Sequence, residues 1–125
     1  MKEVIISERA PKPIGPYSQA IKTGNLVFVS GQGPVDPKTG KIVSGGIGEQ
    51  TKQTFENIVA ILNAAGSTLE HVVKVSVFLR NINDFSRMNE VYATLFKREP
   101  PARTTVQANL PLEGMLIEVD VVATL

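Results

Sequence analysis

The chain has 125 residues, a length typical of one domain with a substantial hydrophobic core. Its net charge is +1, so no strong field attracts nucleic acid or an anionic membrane. It contains no cysteine, which excludes disulfides and thiol catalysis and is consistent with a reducing compartment. The sequence shows neither a signal-peptide pattern nor an apolar run of the roughly 18 residues that would cross a bilayer. We therefore expect a single cytoplasmic domain spanning residues 1–125.

The first third of the sequence predicts three strands. Val4–Ile6 is a short β-branched run, after which several prolines keep the chain extended as far as Tyr17. Ser18–Thr23 and Leu26–Gln32 are predicted to form two strands joined by a tight turn that begins at Gly24. Apolar residues occupy both faces of the third strand, so we expect both faces to be buried.

Two amphipathic helices follow in the pattern. A glycine-rich segment without the Lys-Ser/Thr of a phosphate-binding loop precedes a helix predicted over Glu49–Ala65. The second helix is predicted over Phe85–Phe96, with Asn83 or Asp84 as its N-cap. The predicted buried stripes are Phe55, Ile58, Val59 and Leu62 in the first helix and Phe85, Met88, Tyr92 and Leu95 in the second.

The second half of the chain adds three strands. Val72–Leu79 alternates clearly, a strand begins near Thr104, and Leu116–Ala123 is the last. One face of the Val72–Leu79 strand is predicted to carry Val73, Val75, Val77 and Leu79. The whole pattern predicts an α+β domain with a six-stranded mixed sheet and two helices on one face.

Two helices leave the second face of such a sheet uncovered. That face is predicted to carry four apolar side chains, which are Phe28, Phe78, Leu116 and Val122. An apolar surface of this size is unfavourable in water, so we expect copies of the chain to associate through it.

Arg103 is the strongest candidate for ligand binding. It follows two prolines and precedes a β-branched pair, so a stiff segment becomes a strand at this residue. The planar guanidinium can hold a carboxylate or a phosphate with two parallel hydrogen bonds.

Five motifs occur in an order typical of one family. They are Ile14–Ala20, Val29–Gln32, Asn89, Pro101–Thr104 and Ile117–Val119. On these motifs the sequence resembles the Rid family of reactive-intermediate (imine and enamine) deaminases, also described as translation inhibitors. The resemblance implies a chorismate-mutase-like homotrimer with a ligand cleft at each subunit boundary. It also implies hydrolysis of 2-imino or 2-enamino acids, such as 2-aminoacrylate released by pyridoxal-phosphate enzymes, to 2-keto acids and ammonia without a metal or cofactor.

The resemblance also assigns roles to residues of this sequence. Arg103 matches the residue that holds the substrate carboxylate, Glu118 the acid that orients or activates water, and Tyr17 a residue near the reacting atoms. The other residues matched to substrate binding are Ser30, Gly31, Asn89 and Thr105. Many members carry cysteine where this chain has Thr105. Because the family is thought to use the backbone carbonyl there, we expect activity without a thiol-based switch.

Two other functions are compatible with the resemblance. The first is RNA cleavage, which the near-neutral charge, the lack of tryptophan and the single histidine, His71, make unfavourable. The second is non-catalytic binding of a small carboxylate through Arg103. Glu118→Gln distinguishes such a binder from a deaminase, because a binder would tolerate the change and a deaminase would not.

Overall fold

A computed structural model describes residues 1–125 and contains six strands and two long helices. The strands are β1 (Lys2–Ile5), β2 (Ala20–Thr23), β3 (Leu26–Gln32), β4 (Val72–Leu79), β5 (Ala102–Gln107) and β6 (Ile117–Thr124). The helices are α1 (Ile47–Ala64) and α2 (Phe85–Leu95), with 3₁₀ turns at Leu69–His71 and Ile82–Asp84. The predicted α+β class and number of elements are confirmed. Neither helix has the length and apolar character of a membrane span.

All six strands form one sheet in the order β1-β2-β3-β6-β4-β5. Only β4 and β5 pair in parallel, so the sheet is mixed as predicted. The last strand, β6, lies between β3 and β4 and pairs antiparallel with both. Consequently β3 and β4 run in the same direction, and α1 makes the long connection that parallel strands require.

The hydrophobic core lies between the two helices and one face of the sheet. The buried strand residues that share this face are Val75, Val77 and Leu79 of β4 and Ile117, Val119 and Val121 of β6. The helices contribute Phe55, Ile58, Ile61, Leu62 and Met88. Complete burial of each such side chain stabilises the fold by about 1.5–3 kcal/mol.

The other face of the sheet is not covered by a helix, and we call it the open face. Leu26 and Phe28 of β3 are exposed there, and Phe28 retains 44% of its accessible surface. Val27 and Val29, on the opposite face of β3, are buried in the core. The expectation that both faces of this strand are buried is therefore wrong for the single chain.

Several predicted details differ in the sheet. Val73 is 47% exposed, because a register shift between Val72 and Lys74 interrupts the pairing of β4 with β6. Leu116 precedes β6 and packs beside the core, so it does not belong to the open face. Strand β2 begins at Ala20 rather than at residue 18, because its regular pairing with β1 and β3 starts at Ala20.

The helix stripes also differ from prediction. In α1, Ile61 is fully buried, whereas Val59 is only partly buried. In α2, Phe85 is 40% exposed because it lies at the first turn, beyond the core. Asp84 occupies the N-cap position without a side-chain hydrogen bond to the helix.

Candidate active site

A groove with a volume of about 880 Å³ lies beside the C-terminal end of β3. One wall is the N-terminal arm, which we define as residues 6–18, and the other is the loop at residues 110–115. Three predicted site residues, Tyr17, Gly31 and Glu118, line this groove together with Met115. The sequence motifs at the two ends of the chain thus meet at one place.

Glu118 reaches the groove from the sheet. It pairs with Phe78 of β4 and lies on the face opposite the helices, as its alternation predicts. Burial raises the pKa of its carboxyl group, and the neighbouring negative charge of Asp120 raises it further. The site therefore contains a carboxylate of increased basicity, which suits it to accept a proton from water.

Gly31 allows the Glu118 side chain to lie against the backbone of β3. A Cβ atom at residue 31 would be 2.9 Å from Glu118 Cδ, closer than side chains approach one another. The pairing of β3 with β6 is irregular between Val29 and Gln32, so Gly31 lies within a β-bulge. A bulge with a glycine thus makes room for the carboxylate.

Tyr17 and Ser30 are held by main-chain groups around the groove. The Tyr17 hydroxyl accepts a hydrogen bond from Ile14 N (3.3 Å), although the residue is 46% exposed. Ser30 Oγ donates to Ser18 O at 2.6 Å. The hydroxyl proton of Ser30 is therefore used to fasten the segment that carries Tyr17.

Arg103 lies elsewhere, on the helix-covered side of β5. It pairs with Val75 of β4, which points into the core. Its guanidinium carbon is 4.6 Å from the ring centroid of Tyr92 and 5.6 Å from that of Phe85. No protein group forms an ion pair or a hydrogen bond of standard geometry with this guanidinium. Its N–H groups are thus available to an anionic ligand.

Asn89 and Thr105 lie on the same side as Arg103. Thr105 pairs with Val77, and its hydroxyl is buried without a hydrogen-bond partner. Asn89 is on α2, four residues after Phe85 and three before Tyr92, so helix geometry places it on the same flank as both rings.

The predicted site residues therefore form two groups in one chain. Tyr17, Gly31 and Glu118 line the groove, which Ser30 supports, and Arg103, Asn89 and Thr105 lie on the helix side of β5. No group of three or more histidine, cysteine or acidic side chains is placed to hold a metal ion.

Comparison with known proteins identifies the family. The sequence model of the family described as Endoribonuclease L-PSP matches residues 7–125. A crystal structure of a Rid family protein of unknown function from Yersinia pestis is similar over 100% of both chains, with 43% identity and a TM-score of 0.95. The chain belongs to the Rid family.

Relatives within the Rid family differ in how their names describe them. A RutC family protein of Pyrococcus horikoshii is 57% identical over 98% of both chains. A human protein named 2-iminobutanoate/2-iminopropanoate deaminase is 43% identical over 98% of this chain and 90% of its own length. The Pyrococcus horikoshii relative is thus named only for its family, whereas the human relative is named for a reaction.

Three side chains that support the candidate site were not singled out from the sequence. Gln19 is buried, and its amide accepts from Ser7 N (2.7 Å) and donates to Ser7 O (3.1 Å) and Pro11 O (2.9 Å), which holds the arm. Arg80 donates to three carbonyls of the loop at residues 110–115, and Gln50 bonds the loop's Gly114 O and the adjacent Leu116 N. Gln50 lies on the buried side of α1. A polar residue at a core-facing helix position is the sequence signal that could have identified it.

Proposed function

We propose that this protein hydrolyses reactive 2-imino and 2-enamino acids to 2-keto acids and ammonia. The observation that carries the proposal is the state of Arg103. Its guanidinium lies against two aromatic rings with no acidic partner, whereas Arg80 is occupied by carbonyls and Arg87 pairs with Glu90. A guanidinium with free N–H groups in a fixed orientation suits a small carboxylate ligand.

The chemistry requires few protein groups because the substrate is already reactive. Arg103 holds the carboxylate, and a protonated C=N group presents an electrophilic carbon. Glu118 removes a proton from water as its oxygen bonds to that carbon, which gives a tetrahedral carbinolamine. Glu118 returns its proton to the carbinolamine nitrogen, and the C–N bond breaks as the hydroxyl oxygen forms the C=O bond. The hydroxyl proton leaves with the nitrogen, so the products are the 2-keto acid and ammonium. Tyr17 lines the same groove as Glu118, and we expect it to lie near the reacting atoms.

The proposed site is completed by association of copies. Within one chain Arg103 and Glu118 are on opposite faces of the sheet. The open face carries exposed apolar side chains, including Phe28, whose burial would favour association. We therefore include a homotrimer with a cleft at each subunit boundary in the proposal, as the family resemblance implies.

Two alternatives make different predictions for the same protein. An RNA-cleaving function is consistent with the description of the family model. A non-catalytic carboxylate binder is consistent with the free Arg103. The RNA-cleaving function requires that intact RNA is lost in the presence of the protein. The binding function requires that the protein binds a carboxylate without faster release of ammonia.

The decisive experiment adds the purified protein to a threonine dehydratase reaction and measures how fast 2-oxobutanoate and ammonia appear. We expect release faster than spontaneous hydrolysis, and no acceleration by Arg103→Ala. Arg98→Ala is the matched control, since Arg98 is exposed and should leave the rate unchanged. Spontaneous rates with the wild-type protein, or acceleration by Arg103→Ala equal to that of the wild type, would overturn the proposal. RNA degradation by the wild-type protein would support the first alternative.

A further inference from the structure

We propose that Tyr92 and Phe85 are positioning residues that fix the direction of the Arg103 guanidinium. This inference rests on the proposed function, because it concerns how the carboxylate-binding arginine is held. Both rings lie within the distance at which a cation interacts with an aromatic face, and both belong to α2. The proposal makes α2 part of the ligand site as well as part of the core.

The geometry of stacking explains why rings suit this purpose. A guanidinium that lies over an aromatic ring has its flat face covered, and its N–H groups remain at the edge. An acidic partner would orient the arginine too, but it would occupy the same N–H groups that a substrate carboxylate needs. Aromatic neighbours therefore hold Arg103 and leave its hydrogen-bonding capacity free.

Tyr92 is itself held rigidly. It is only 7% exposed, and its ring contacts Phe55 and Phe96 at centroid distances of 5.8 Å and 4.7 Å. The Tyr92 hydroxyl is buried and forms no hydrogen bond of standard geometry. The ring face therefore provides the main contact between Tyr92 and the Arg103 guanidinium. Burial raises the pKa of this hydroxyl, while the positive charge of Arg103 and a polar contact with its guanidinium lower it in part, so the ring is neutral at physiological pH.

The test separates orientation of Arg103 from stability of the fold. Tyr92→Leu removes the ring, Tyr92→Phe keeps it, and Ile61→Val shortens a fully buried core side chain that is not part of the aromatic cluster around Tyr92. Binding of 2-oxobutanoate is measured by calorimetry, KM and kcat are measured in the dehydratase assay, and the melting temperature is recorded for each variant.

We expect Tyr92→Leu to weaken 2-oxobutanoate binding and raise KM by about threefold to thirtyfold, the range of a cation–π contact. Tyr92→Phe should bind within about twofold of the wild type, because the ring is retained. Ile61→Val should lower the melting temperature but leave KM unchanged. Equal KM values for Tyr92→Leu and the wild type, or equal losses in Tyr92→Leu and Tyr92→Phe, would overturn the inference.

Phe85→Leu keeps the test decisive if Tyr92→Leu does not fold. Phe85 is 40% exposed and lies outside the hydrophobic core, so its replacement should be tolerated. It should raise KM by about twofold or more with little change in the melting temperature. Unchanged KM in this variant would also overturn the inference. If the wild-type protein binds 2-oxobutanoate in a Tyr92-dependent way but deaminates nothing, the proposed function fails and the positioning role stands.

Discussion

Arg103 and Glu118 lie on opposite faces of the same sheet, although a single strand, β4, separates the strands that carry them. Arg103 pairs with Val75, whose side chain is buried under the helices, and Glu118 pairs with Phe78 on the open face. A substrate as small as an imino acid cannot contact both groups in one chain. The proposed site therefore requires two copies of the chain, one contributing Arg103 and the other Glu118.

Mixed assemblies provide a direct test of this arrangement. Arg103→Ala and Glu118→Gln should each be inactive alone, because each destroys one half of every site. After the two variants are unfolded together and refolded in equal amounts, about one quarter of the sites should combine an intact Arg103 with an intact Glu118. We expect activity to return to about that fraction of the wild-type value. No recovery from refolded mixed assemblies would indicate that both groups act from the same chain.

Glu118→Gln should separate catalysis from stability. Turnover is expected to fall by roughly 10²–10⁴-fold, the usual contribution of general acid–base catalysis. Because burial raises the pKa of Glu118, the charged carboxylate destabilises the folded state, and stability is lost as pH rises through that pKa. The glutamine variant should therefore be at least as stable as the wild type at pH 7 in urea unfolding. A variant that is both active and less stable would contradict the assigned role.

The same raised pKa predicts the pH dependence of the wild-type rate. Water activation requires the charged form of Glu118, so kcat should decline as pH falls through its pKa, at a higher pH than for an ordinary glutamate. A rate profile measured between pH 4 and 8 checks this, with spontaneous hydrolysis subtracted at each pH.

Arg103→Lys tests the shape of the cation separately from its charge. Lysine keeps the positive charge but has no planar fork to bind a carboxylate through two bonds, and no flat face to stack on Tyr92. We expect kcat/KM to fall by at least about tenfold, or about 1.4 kcal/mol, while the melting temperature stays near that of the wild type. Arg98→Lys serves as the exposed control. Wild-type kcat/KM in Arg103→Lys would mean that charge alone is sufficient.

Thr105→Val addresses the position where many relatives carry cysteine. The Thr105 hydroxyl is buried without a hydrogen bond, so replacing it with a methyl group should maintain or increase stability. Deamination should persist, since only the main chain at this residue is expected to meet the substrate. Thr104→Val is a useful comparison, because it removes the bond from Lys74 Nζ (2.8 Å) on the opposite face. A tenfold lower kcat/KM in Thr105→Val alone would show that the hydroxyl itself contacts the substrate.

Phe28→Asp tests whether the open face mediates assembly. Phe28 is 44% exposed in the single chain and pairs with Val122, so a charge there should not prevent folding. In an assembly the same charge would be buried without a partner, which is strongly unfavourable. Light scattering should therefore show monomers for the variant and trimers for the wild type, while circular dichroism remains unchanged. A trimeric Phe28→Asp variant would place the interface elsewhere.

Much of the fold follows from periodicity. The alternation in Val72–Leu79 and the i, i+3, i+4 stripe of α1 are local properties, and the two-residue turn at Gly24 has the positive φ of 54° that glycine favours. The exposure of Val73 was not predictable in this way, because it depends on a register shift against β6, which lies 40 or more residues away. Strand pairing at that distance leaves no trace in local sequence.

The sequence nominated candidate site residues, but it did not predict their arrangement. Family motifs identified Tyr17, Glu118 and Arg103, and strand alternation gave Glu118 its face. The face of Arg103 depends on its register with β4, and two preceding prolines gave no information about that register. The supporting side chains Gln19 and Arg80 act through hydrogen bonds to main-chain carbonyls, which any residue can supply, so no partner pattern marks them.

The contact between Gly31 and Glu118 limits how this chain can change. Any side chain at residue 31 would occupy space that the Glu118 carboxylate now fills. Gly31→Ala alone should therefore displace the acid, whereas Gly31→Ala combined with Glu118→Asp, which shortens that side chain, relieves the clash. The two positions form an epistatic pair: an alanine at residue 31 is expected to lower turnover by moving the Glu118 carboxylate, and the effect of shortening the acid is expected to depend on whether residue 31 is glycine or alanine.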